Sequence, residues 1–247
     1  MDLQLQGKTV LVTGGSKGIG LACARVFAAE GCGVHIAARN PERLERARAL
    51  IGAAAQIHPA DLRDSTALRA LAEACADVDI LVNNAGDIPG GTLESLGEAA
   101  WRHAWELKVF GYINLTREIF ARMRSRGGGV IVNVIGMAGE HPSFEYLCGS
   151  TANAGLAAFT KGLGKGSREY GVRVLGVHPP ATRTDRILAV MKAAAKAKFG
   201  DESRYEEIAL SGSFGHMIEP EQVADTVAFL ASPRAGQLSG VVLNLGA

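Results

Sequence analysis

The chain has no surplus of charge, few cysteines, few aromatics and no long apolar run. Its 247 residues hold 26 Lys and Arg against 25 Asp and Glu, a formal net charge of +1. The basic residues are scattered, so the electrostatic footprint of a nucleic-acid binder is missing. The four cysteines, Cys23, Cys32, Cys75 and Cys148, lie far apart and form no C-x-x-C pair. They spell neither a disulfide framework nor a zinc motif, so no metal is expected and a reducing, cytoplasmic setting is. No run reaches the roughly 18 apolar residues of a membrane span, and the first residues show no apolar signal segment. No repeat, low-complexity tract or Pro/Ser-rich linker divides the chain, which is expected to form one domain over 1–247.

What is present is glycine, 31 residues of it, and short apolar runs alternating with helical patterns. The runs predict strands over Thr9–Thr13, Gly33–Ala38, Gln56–Pro59, Asp79–Val82, Val130–Ile135, Val172–Val177 and Val241–Leu245. Apolar residues at helical spacing predict helices over Leu21–Glu30, from Pro41 onward, and over Ser65–Ala76, Thr151–Tyr170, Ile187–Lys198 and Glu221–Ala231. A single long helical stretch is expected over Glu98–Arg126. Near-continuous apolar strands separated by helices imply a parallel sheet covered on both faces, an α/β doubly wound (Rossmann) fold of about seven strands.

Between the first strand and the first helix stands Thr13-Gly14-Gly15-Ser16-Lys17-Gly18-Ile19-Gly20. In that context glycines permit a tight turn and close approach of backbone to a pyrophosphate, and the helix N-terminus offers free N–H groups to the anion. Gly14, Ser16, Lys17, Gly18, Ile19 and Gly20 are therefore candidate dinucleotide contacts. An acid ending the second strand would bind an adenine-ribose 2′-OH, and a cation a 2′-phosphate. Here the strand runs Val34-His35-Ile36-Ala37-Ala38 into Arg39, and Lys17 can reach the same phosphate. NADP(H) is expected over NAD(H).

With these features the chain resembles the short-chain dehydrogenase/reductase family over nearly its whole length. The motifs are the glycine loop, Asp61-Leu62, Asn83-Asn84-Ala85-Gly86, Ile131-Val132-Asn133, Ala157-Ala158-Phe159-Thr160-Lys161, Val172-Arg173-Val174, Pro179-x-x-Thr182-Arg183-Thr184 and Pro220-Glu221-Gln222-Val223-Ala224. The resemblance implies Asp61 and Leu62 at the adenine, Asn83, Ala85 and Gly86 along the ribose, and Thr182 near the nicotinamide. It implies a small-molecule substrate under a lid around 183–215. It also implies a homodimer or homotetramer built on the helix carrying Trp101 and Trp105 and on Thr151–Tyr170.

The family's proton relay uses a Tyr, a Lys four residues later, a Ser about thirteen residues upstream and an Asn on the preceding long helix. Counting from Phe159-Thr160-Lys161 and Trp101 places these roles at Gly149, Asn153, Gly136 and Lys108. Tyr146 is the nearest tyrosine, but four residues after it stands Ser150. Two glycines carry no proton, so the relay is expected to be rebuilt. Lys108, Tyr146 and His141 are the candidate catalytic residues, with Glu140, Glu145 and Cys148 on the same segment. Three readings follow: an NADP(H)-dependent oxidoreductase of small carbonyls or alcohols, a non-redox lyase or hydratase, or an inert NADP(H)-binding or sensing protein.

Overall fold

Odd and even residues of the central strands point to opposite sides of one sheet, and both sides are apolar. The computed structural model describes residues 1–209 and 217–246. Strands β1 (Thr9–Thr13), β2 (Gly33–Ala38), β3 (Gln56–Pro59), β4 (Ile80–Asn83), β5 (Gly129–Val134), β6 (Val172–His178) and β7 (Val242–Asn244) form one parallel sheet in the order β3-β2-β1-β4-β5-β6-β7. Val10, Val12, Val34 and Ile36 pack with Phe27 of α1 (Gly18–Ala29) and Val223 and Val227 of α9 (Pro220–Ala231). Leu11, Leu81 and Ile131 face the other way. They meet Leu68 and Leu71 of α3 (Ser65–Ala74) and Leu115 and Ile119 of α5 (Gly111–Arg126). Burial on both faces is why the strands read as continuous apolar runs.

Local chemistry sets the helix ends. Pro41 opens α2 (Pro41–Ile51) behind Asn40, whose side chain accepts from Arg43 N at 2.8 Å. Asp64 caps α3 by accepting from Thr66 N at 2.7 Å. Gly127, left-handed at φ +74, ends α5. The helix expected to begin at Thr151 starts earlier, as α6 (Leu147–Gly166), and places Gly149 in its first turn.

The long helix expected over Glu98–Arg126 is not uniform. It runs as α4 (Glu98–Trp105), a π-helical turn over Glu106–Phe110, and α5. The wider turn rotates Lys108 inward, where its residue is 8% exposed. Apolar spacing alone does not reveal such an insertion, because the periodicity on either side stays helical.

The expected lid contains α7 (Asp185–Phe199) and α8 (Tyr205–Ala209), while its residues 210–215 lie outside the described residues. Among the described residues no helix is long and apolar enough to cross a membrane.

Candidate functional site

The order of the sheet reverses between β1 and β4, and the strand ends there diverge to leave a crevice, as in open α/β sheets generally. A cavity of about 790 Å³ fills it, reaching from Arg39 to Val190 of α7. Gly14, Ser16, Lys17, Gly18 and Ile19 form its floor at the start of α1. Gly14 is left-handed at φ +65, and a Cβ there would stand 2.9 Å from Asn84 Nδ2. Lys17 occupies the N-cap of α1 in extended conformation, and no side chain caps the helix. The first N–H groups of α1 are thus left for an anion. Gly20 does not line the cavity. It lets α1 lie against the Gly14 carbonyl, where a Cβ would collide.

Lys17, Arg39 and Arg43 line the same end of the cavity, beside Leu62. Arg43 was not identified from sequence. It stands one helical turn into α2, and only the fold carries it back to the loop. Asp61 does not line the cavity. Arg63 grips it with Nε–Oδ1 at 2.9 Å and Nη2–Oδ2 at 2.6 Å, and this pairing holds its carboxyl below the usual range. Of the expected adenine pair, Leu62 lines the cavity and Asp61 does not. Asn83 is also corrected. It is fully buried, its Nδ2 donating to Thr116 Oγ1 at 3.0 Å and Asn133 Oδ1 at 2.9 Å, so it ties β4 to β5 and α5. Ala85, Gly86 and Thr182 line the cavity as expected.

At the other end the cavity meets Lys108, Gly136, Tyr146, Asn153 and Arg186. The Lys108 Nζ donates to Val134 O at 2.9 Å, Ile135 O at 3.0 Å and Tyr112 Oη at 3.2 Å. Its stem crosses Gly86, where a Cβ would lie 2.7 Å from Cδ. Burial, with the Arg186 charge, brings the Lys108 ammonium down to about 7. Asn153 is 4% exposed, and its Oδ1 has no hydrogen-bond partner in the fold.

Tyr146 precedes α6, and its ring covers Gly149 so closely that a Cβ at 149 would collide with it. A side chain at 149 and the observed place of the Tyr146 ring exclude each other. Burial pushes the Tyr146 hydroxyl above its ordinary value, and the charge of the nearby Arg186 guanidinium pulls it back in part. Arg186 donates to Ile88 O. Sequence reading missed Arg186 because it belongs to α7, 40 residues beyond the tyrosine in the chain. Gly136 has φ +137, a backbone that side-chain-bearing residues rarely adopt. Gly149→Ala is expected to displace the Tyr146 ring and to destabilise the fold by about 1–3 kcal/mol, the range of core overpacking. Thermal unfolding checks this, and an unchanged Tm would show that the ring moves freely.

Of the other candidates, Glu145 lines the cavity, and His141, Glu140 and Cys148 do not. His141 is exposed on the turn after β5 and is corrected as a catalytic candidate. Glu140 turns instead to His178, its Oε1 lying 3.4 Å from Nε2, while the His178 Nδ1–H donates to Gly136 O at 2.6 Å. Burial holds that imidazole below its usual range. Cys148 is buried, and its carbonyl accepts from Trp105 Nε1 at 3.2 Å. Trp101 and Trp105 both pack on Ile88, Ala104, Cys148 and Ala152 within the chain. Glu145 lines the rim.

Residues 8–194 match the family model described as short chain dehydrogenase. The 2,3-dihydro-2,3-dihydroxybenzoate dehydrogenase of Bacillus subtilis is 30% identical over 242 residues, covering 95% of this chain and 93% of its own. The 7alpha-hydroxysteroid dehydrogenase of Escherichia coli is 29% identical, covering 99% of this chain and 94% of its own. Among solved structures, L-sorbose reductase from Gluconobacter frateurii, complexed with NADPH and L-sorbose, is 29% identical. It superposes with a TM-score of 0.93 over 100% of this chain and 98% of its own. A 7 alpha-hydroxysteroid dehydrogenase complexed with NADH superposes with a TM-score of 0.90, at 28% identity over 99% of this chain and 95% of its own.

Proposed function

Because the chain belongs to the short-chain dehydrogenase family, whose curated relatives here are oxidoreductases, we propose that it is an NADP(H)-dependent oxidoreductase of small carbonyl or alcohol substrates with a rebuilt proton relay. The observation that carries this reading is the Tyr146 ring seated over Gly149 at the cavity end shared with Lys108 and Arg186. The tyrosine expected at 149 is replaced by one arriving from the preceding loop.

The residues present fit a nicotinamide dinucleotide. The uncapped start of α1 suits the pyrophosphate, and Lys17, Arg39 and Arg43 suit a 2′-phosphate. The orphaned Asn153 Oδ1 and Thr182 stand at the nicotinamide end. The bound cofactor supplies hydride exchange with the substrate carbon.

This chain's own groups then handle the proton. Tyr146 stays protonated at neutral pH, because burial disfavours its phenolate, and can donate to a carbonyl oxygen. Arg186 offsets the negative charge left on Tyr146. Lys108, lowered to about 7 and so charged in part at neutral pH, supplies a second positive charge at this end of the cavity and fixes the end of β5 through two carbonyls. The helix α7, with Arg186 and Val190, closes the cavity as the first part of a lid. Assembly as a homodimer or homotetramer is part of this proposal, with Phe110, 44% exposed at the end of the π turn, available to an interface.

The test is NADPH oxidation against a panel of ketones and aldehydes. Wild-type turnover is expected. Tyr146→Phe should reduce kcat/KM by about 10²–10³-fold while NADPH affinity stays within about twofold, since the loss concerns proton donation alone. Absence of turnover with every carbonyl, despite tight NADPH binding, would replace this reading with the inert binding protein.

A further inference from the structure

The β3 edge of the sheet holds a cluster that the cavity does not use. His35 on β2 and His58 on β3 lie on the same face, since β2 and β3 pair in parallel with His35 opposite Gln56 and Ala37 opposite His58. That face is the one covered by α3, and the residue capping the C-terminus of α3 is Cys75. His35 Nδ1 lies 3.0 Å from His58 Nε2, and Cys75 Sγ lies 3.4 Å from the first and 3.7 Å from the second. All three ligand atoms fall within 4.8 Å of one another.

We propose that His35, His58 and Cys75 form a site for a zinc-class divalent transition-metal ion, bracing β2, β3 and the end of α3, with water as the fourth ligand. The spacing is the argument. A tetrahedral ion with M–N of about 2.05 Å and M–S of about 2.3 Å has an N···N edge of about 3.3 Å and N···S edges of about 3.6 Å. The two observed N···S separations, 3.4 and 3.7 Å, bracket the N···S edge, and the N···N separation of 3.0 Å is about 0.3 Å short of its edge, so the two rings part slightly as the ion enters. A thiolate with two imidazoles is also the donor set that zinc and cobalt(II) prefer over magnesium or calcium.

The surroundings agree. His35 is 7% exposed and Cys75 fully buried, whereas His58 is half-buried and opens the cluster to solvent. Ion and water thus have an entry path. Burial holds both imidazoles below their usual range, so they offer neutral lone pairs. Burial and then the charge of Asp77 push the free Cys75 thiol up to about 12, so the ion itself must drive its deprotonation, while the same Asp77 charge would offset part of the cation's. The imidazole that donates in the His35–His58 hydrogen bond passes that proton through solvent to its own outward nitrogen on binding, so that both facing nitrogens present lone pairs to the ion. The Cys75 thiol gives its proton to solvent as the S–M bond forms, with no change of oxidation state. The expectation that the cysteines ligate nothing is therefore revised at Cys75. No sequence motif announces the site, because its ligands come from three elements and no two share a recognisable spacing.

The experiment is titration of the full chain, stripped with a chelator, first with Co²⁺ and then with Zn²⁺. One equivalent of Co²⁺ should bind, with a thiolate-to-cobalt charge-transfer band in the near ultraviolet and the visible bands of a tetrahedral ion. One equivalent of Zn²⁺ should bleach both and raise Tm by mass action. Cys75→Ala should abolish the charge-transfer band and Cys148→Ala should leave it intact. His58→Gln, at the half-buried position and least disruptive to folding, should weaken Co²⁺ binding at least about tenfold. A band that survives in Cys75→Ala would overturn the proposal. So would the absence of any band in the wild type at stoichiometric cobalt. The cluster would then be a hydrogen-bonded His–His pair, whose rings stack at 5.2 Å and 5°.

Discussion

Lys108→Met is expected to lower kcat/KM for carbonyl reduction at least about 10²-fold and to change how stability depends on pH. Methionine keeps the length of the stem across Gly86 and removes the charge. The ammonium of Lys108 donates to Val134 O, Ile135 O and Tyr112 Oη. Val134 O keeps the Tyr112 hydroxyl at 2.9 Å, but Ile135 O loses this donor. A buried acceptor left short of a partner costs about 1–3 kcal/mol. The end of β5, which leads into Gly136, is then less firmly held.

The pH effect has a definite sign. The folded-state value of Lys108 is about 7, below the ordinary 10.5. Between those two values the unfolded chain binds more protons than the folded one, so stability rises with pH. The slope attributable to one group is at most about 1.4 kcal/mol per pH unit. Urea unfolding at several pH values between 6 and 9 should show the wild type gaining stability relative to Lys108→Met as pH rises above 7. If the two run parallel, Lys108 does not titrate in this range. If kcat/KM is also unchanged, the second cation plays no part in the chemistry.

Arg39→Asp should invert the preference between the two dinucleotides. Arg39 follows β2 at the mouth of the cavity, where it reaches Asp87 at 3.9 Å with both side chains about half exposed or more. Such an exposed pair contributes about 0–1 kcal/mol, so it does not hold Arg39 away from a doubly charged phosphate. A charge-assisted contact to that phosphate contributes about 1.5–3 kcal/mol, or roughly 10–150-fold in affinity. The aspartate removes that contact, repels the phosphate and can accept from a ribose 2′-OH instead. Calorimetry should show NADP⁺ binding weakened at least about tenfold and NAD⁺ binding strengthened. Equal NADP⁺ affinity before and after the change would assign 2′-phosphate recognition to Lys17 and Arg43 or remove it altogether. The relatives do not settle the point, since one neighbouring structure carries NADPH and another NADH.

Much of this was legible in one dimension. Seven apolar runs between helical stretches were enough for the parallel sheet, because a strand buried on both faces must be apolar at every position. Thr13–Gly20 between strand and helix was enough to point to the floor of the cavity, and Arg39 to its rim, since Gly14, Ser16, Lys17, Gly18, Ile19 and Arg39 line it. These are local facts: the residues that act together are neighbours in sequence. The other end of the cavity, to which we assign the proton relay, was decided by tertiary packing. Glycine at 149 reads as a loss until the ring of Tyr146, three residues earlier, is seen filling its space. Lys108 was a candidate from its place on the long helix, but its burial to 8% exposure on the π turn over Glu106–Phe110, and its carbonyl partners, were not legible. Arg186 reaches Tyr146 only because α7 folds back over the strand ends, and His141, close by in sequence, points to solvent instead. His35, His58 and Cys75 meet only through the register of β2 on β3 and the end of α3. Periodicity and propensity report on contacts a few residues apart. Contacts made across strands and helices depend on register, helix phase and side-chain volume, which only the assembled fold sets.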